Sequence, residues 1–132
     1  MGAWGHLPFE NDDAHDIVSE FMARPGFGML YACTDLVLTK EGAYLEAPDC
    51  SAAIAAGEII AAAHRKAGGG IEDKLKAVAE KLGDPPADLV ERMKKALIRV
   101  QNNSELADLW HENKELEHEW LDSIDDLLSR LS

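Results

Sequence analysis

Four residues near the end of the chain have side chains that bind metals: His111, Glu115, His118 and Asp122. Their offsets of 0, 4, 7 and 11 would align all four on one face of an unbroken helix. Imidazole and carboxylate donors at that spacing could hold zinc or iron. A metal site in a helix bundle draws its ligands from several helices, often as Glu-x-x-His on two of them. Glu115 to His118 is one such unit and no second one exists, though Glu58 and His64 could contribute from elsewhere. The plainer reading is a solvated charged face around a helix break at Asn113-Lys114. A metal site of His111, Glu115 and His118 is the alternative kept beside it.

A second group is Asn11, Asp12, Asp13 and Asp16, next to Trp4 and Phe9. Short acids can bind a hard cation or a basic side chain. The spacing is not that of a calcium loop, which needs glycine at its sixth position and glutamate at its twelfth. A helix cap followed by acids that suit the helix dipole explains the same residues. Such an acid could also accept hydrogen bonds from the Gly2-Ala3-Trp4-Gly5 backbone and hold that segment down. Glu58 is the third candidate, a carboxylate on an otherwise apolar helix. The expectation is that it lies on an exposed edge or pairs with Arg65, two turns on. No catalytic residue can be assigned, because triads and carboxylate pairs meet in space and not in order.

These residues must be positioned by helices. The run from Ser51 to His64 is rich in alanine, holds no proline, and is apolar nearly all round. It reads as a buried central helix over about residues 51–66, with Asp49 or Ser51 as its cap. Ala53, Gly57 and Ala61 stand four apart, which would admit a close neighbour. Asn11 caps an amphipathic helix whose face is Ala14, Ile17, Val18, Phe21 and Met22. Residues 28–41 fit a helix better than a strand, since nothing is available to pair with a strand. Helices are expected over 71–82 and 87–101, and Ser104 caps a last helical region carrying Trp110, Trp120, Ile124, Leu127 and Leu131. Residues 1–10 read as an irregular segment packed on the rest. The expected fold is all-α: one domain over residues 1–132, a compact bundle of six or seven helices around the central one.

Charge narrows the functions. The net charge is −12 over 132 residues. Residues 1–50 hold nine acids and two bases, residues 51–100 seven and nine, and residues 101–132 nine and two. An acidic chain repels nucleic acid phosphates and attracts a basic protein. No signal peptide is apparent, and the central run is too short for a membrane span and is interrupted by Glu58. Cys33 and Cys50 are too few for a disulfide framework and suit a cytoplasmic protein.

Several stretches together carry a resemblance. Met1-Gly2-Ala3-Trp4-Gly5 and Phe9-Glu10-Asn11-Asp12-Asp13-Ala14 form the opening. Tyr44-Leu45-Glu46-Ala47-Pro48, Asn103-Ser104-Glu105-Leu106 with Leu109-Trp110, and Glu119-Trp120-Leu121 follow in order. The chain resembles a family of small bacterial proteins catalogued only as domain of unknown function 4259. The resemblance implies a helical protein of this size and no established activity, so it transfers no catalytic residue. The chain departs from the family pattern at His15 and in its lysine-rich 71–101 stretch.

The expected function is that of a non-enzymatic binding module, immunity- or antitoxin-like, masking a basic partner without a cofactor. Its contact face would be Glu105, Asp108, Glu112, Glu115 and Glu119, with Trp110 or Trp120 as an anchor where exposed. Trp4, Phe9, Asn11, Asp12 and Asp13 form a separate N-terminal motif. The chain itself is expected to be a monomer or a weak homodimer.

Overall fold

The computed structural model describes residues 11–39 and 43–132. Trp4 and Phe9, the segment 1–10 and the helix stop at Gly42 lie outside them. The described residues form seven helices and no strand. They are α1 (Asp12–Ala23), α2 (Gly28–Leu38), α3 (Ala47–Ala63), α4 (Asp73–Lys81), α5 (Ala87–Asn102), α6 (Glu105–His111) and α7 (Lys114–Leu131). Within the 28–41 stretch, Gly28–Leu38 is therefore helical.

All six other helices pack on α3. From Cys50 to Ala63 every residue of α3 is buried. A helix so enclosed needs apolar residues all round, which the alanine and isoleucine run supplies. A Cβ on Gly57 would stand 3.1 Å from Leu127 Cδ2 and 3.3 Å from Leu97 Cδ1. The close approach at this glycine is thus made by side chains of α7 and α5.

The bounds of α3 differ from the expected 51–66. The helix starts at Ala47, with Pro48 in its first turn, where a missing N–H leaves no partner wanting. Its cap is neither Asp49 nor Ser51. Glu46 takes the cap position, and Glu105 Oε1 accepts a hydrogen bond from the Ala47 N–H at 2.7 Å. The helix ends at Ala63. Arg65 adopts a left-handed conformation (φ 62°), and Lys66 N–H donates to Ala61 O at 2.8 Å, closing a Schellman turn.

The other caps lie where the side chains allow. Asn11 Oδ1 accepts from Ala14 N–H at 2.7 Å. Ser104 Oγ accepts from Ala107 N–H at 3.1 Å and donates to Val100 O at 2.6 Å, so one buried hydroxyl serves both α5 and α6. On α1 the inward face is Ala14 and Phe21, flanked by the half-buried Ile17 and Val18, whereas Met22 is exposed. Tyr31 donates to Asp88 at 2.8 Å, and Arg92 bonds both Thr34 and Asp35. The paired positions rise together, so α2 and α5 run in the same sense. On the other side of α5, Gln101 Nε2 donates to Asp125 Oδ1 of α7 at 2.7 Å.

Candidate partner-binding face

The C-terminal region contains two helices, not one. Helix α6 ends at His111, Glu112 takes its C-cap position, and Asn113 takes the N-cap position of α7. The break removes the condition on which the four-residue alignment depended. His111 Nδ1 lies 2.6 Å from Glu117 Oε2, across the break, and His118 Nε2 lies 3.1 Å from Asp122 Oδ2 within α7. The structure thus makes two separate histidine–carboxylate pairs. Among the described residues no group of three or more His, Cys, Asp or Glu is placed to hold a metal ion.

On α7 the apolar residues Trp120, Ile124, Leu127 and Leu131 are buried. Their spacing leaves Glu115, Glu119, Asp122 and Asp126, at offsets 0, 4, 7 and 11, on the outward face, and all four are exposed. Glu112 and Asp108 continue the exposed acids back into α6. Asp126 accepts from Arg130 Nε at 2.8 Å, so that end of the row is partly neutralised. Glu105 stands apart from the others: it is half-buried, with its carboxylate engaged on the first turn of α3.

Neither tryptophan is an exposed anchor. Trp120 is 3% exposed, and Trp110 is half-buried against the core. Among the described residues the exposed aromatic is Tyr44, at 60%, whose hydroxyl donates to Asp108 Oδ2 at 3.3 Å. Partial desolvation and the Asp108 charge hold its phenol above the ordinary tyrosine pKa, so it is a donor at neutral pH. Sequence reading missed Tyr44 because the contact joins residues 64 apart. Its only local sign was an aromatic in the loop before α3.

Glu58 is neither exposed nor paired with Arg65. It is 3% exposed, and Arg65 has left the helix through its left-handed turn. Its partner is Arg130 of α7, which reaches both carboxylate oxygens at 2.8 Å. Those bonds hold the guanidinium above its ordinary pKa against the opposing effect of burial. Arg130 also donates to Lys66 O at 3.2 Å. The backbone at Gly68 packs on the same pair: a Cβ there would be 3.0 Å from Glu58 Oε1.

Comparison with known families matches residues 2–123 to "Domain of unknown function (DUF4259)". The chain belongs to this family. The match spans both the N-terminal motif and α6, with most of α7, and ends before Asp126 and Arg130. No curated protein and no solved structure matches the chain. Membership therefore brings the family's extent and no chemistry. No helix among the described residues is long and apolar enough to cross a membrane.

Proposed function

We propose that this member of the family is a non-enzymatic binding module that covers a basic surface on another protein, in the manner of an immunity protein or antitoxin. The observation that supports this reading is the exposed acidic row Asp108, Glu112, Glu115, Glu119 and Asp122, laid along α6 and α7 beside the exposed ring of Tyr44. Acids on an outward face add nothing to packing, and they steer a basic partner and fix its orientation. An aromatic beside them supplies the contact area that charge alone lacks. Glu105 belongs to the fold in this reading, since its carboxylate holds the start of α3. The two buried thiols, Cys33 and Cys50, suit action in the cytoplasm.

The test is native mass spectrometry on the protein drawn gently from its own host. The expected result is an added protein-sized mass that is lost at high salt. It is lost as well when Glu112, Glu115 and Glu119 are all changed to Lys, and kept when Lys74, Lys76 and Lys81 of α4 are changed to Glu. An added mass that survives both high salt and the reversal at Glu112, Glu115 and Glu119 defeats the reading.

A further inference from the structure

We propose that the cleft between α1 and α4 receives an arginine or lysine side chain from a basic protein. The cleft holds about 240 Å³ and is lined by His15, Val18 and Ser19 of α1, Gly70, and Glu72 and Leu75. Residues 15, 18 and 19 share one face of α1, and residues 72 and 75 share one face at the start of α4. Lysine and arginine combine an apolar stem with a charged head. The lining offers both parts. Leu75 is buried and Val18 half-buried, which makes an apolar floor, while Glu72, Ser19 and His15 are exposed at the rim.

Two further observations favour a cation there. Glu72 occupies the cap position of α4, yet its side chain makes no cap hydrogen bond, so its carboxylate does not serve its own helix. The facing helix α1 carries Asp12, Asp13, Asp16 and Glu20 and no lysine or arginine, so its field draws cations in. Lys76, one turn beyond Glu72 on α4, works against this field. Upstream of Gly70 the chain is fixed at Lys66 O by Arg130 and at Gly68 by its packing on the buried ion pair. Neither α6 nor α7 lines this cleft, so the site goes beyond the acidic face and stands or falls separately from it.

The experiment titrates the isotopically labelled full chain with N-acetyl-arginine amide and follows its backbone amide resonances. N-acetyl-norleucine amide, which has a similar stem and no charge, is the comparison. Saturable shifts centred on residues 15, 18, 19, 70, 72 and 75 are expected with the arginine probe, and none with the norleucine probe. Glu72→Gln is expected to weaken binding about three- to fivefold, the scale of one partly exposed ion pair. Lys76→Ala is expected to tighten it. Equal binding of both probes, unchanged binding in Glu72→Gln, or shifts centred on the acids of α6 and α7 would each overturn the proposal. Success here, together with a bound mass that survives both high salt and the reversal at Glu112, Glu115 and Glu119, would leave this cleft standing and remove the acidic row of α6 and α7 as the binding face.

Discussion

Arg130 and Glu58 meet in a two-point ion pair in which both nitrogen–oxygen distances are 2.8 Å, although 72 positions separate them in the chain. The glutamate is 3% exposed and the arginine side chain 17%. Removing the arginine leaves the glutamate charge stranded, which costs about 3–5 kcal/mol at buried sites. Arg130→Met, which strands the buried Glu58, is expected to lower stability on that scale, and Glu58→Gln by less, because Arg130 keeps its bonds to Asp126 and to Lys66 O; both are read from the midpoint of urea unfolding. Arg130→Lys is expected to lose much of it too, since an ammonium cannot reproduce the planar two-point contact. The joint change Glu58→Leu with Arg130→Met should recover most of the loss, because no unpaired charge remains. A double variant as unstable as the sum of the two singles would refute the stranded-charge account.

That pair also marks the limit of what the sequence made legible. Local signals were read directly: Asn11 and Ser104 cap the helices they precede, and the apolar periodicity of α1 and α7 put Phe21 and Ile124 inside. The alanine run was recognisable as the hub, since no other use suits a helix without a polar side. What escaped depends on residues far apart in the chain. Glu58 alone could not disclose Arg130. The true start of α3 depends on Glu105, 58 positions away, and Asp49 and Ser51 offered nearer and wrong caps. At the candidate site, the acids of α6 and α7 were recognised as a face. The break expected at Asn113-Lys114 falls at Glu112-Asn113, and it decided which histidine met which carboxylate, a pairing that no offset discloses.

Arg65 is a position where the fold works against residue preference. Its φ of 62° lies in the left-handed region, where a Cβ is disfavoured by about 1 kcal/mol or more. Glycine is the residue that helix ends use there. Arg65 is exposed, so its side chain contributes little packing. Arg65→Gly is expected to raise stability by up to about 1 kcal/mol, offset in part by the greater freedom of glycine in the unfolded chain. Thermal unfolding followed by circular dichroism measures it, and a lowered midpoint would show that the arginine side chain holds the turn.

Glu105 separates structural from partner-facing acids. Its carboxylate accepts the Ala47 N–H at 2.7 Å, and its own N–H donates to Leu45 O at 2.8 Å, so α6 and the start of α3 are joined at one residue. Glu105→Ala removes the acceptor and is expected to cost about 1 kcal/mol, the usual value of a lost cap. Glu105→Gln keeps an oxygen in the same place and is expected to cost less than half of that. Glu115→Ala, at an exposed position, is expected to change stability hardly at all. Equal losses in the three variants, compared by urea unfolding, would contradict the division.

Cys33 lends the protein a pH dependence whose sign can be worked out. Burial, helped by the charge of Glu20, pushes its thiol up from 9.0 to about 11. Between these values the unfolded chain has released the proton that the folded chain still holds. The folded state then binds more protons, so stability falls as the pH rises through the window. Its contribution is complete below about pH 9 and is lost towards about pH 11, by roughly 3 kcal/mol for a shift of two units. Burial raises the thiol of Cys50 in the same direction. Urea midpoints measured across this range for the parent and for Cys33→Ala should converge as the pH rises, because the variant has no thiol there to ionise. The same protection predicts that Cys33 reacts with iodoacetamide far more slowly than a free thiol at pH 8, until urea opens the fold. Rapid labelling of Cys33 in the native state, or parallel pH curves for the two proteins, would show that this thiol is not held in its neutral form by the fold.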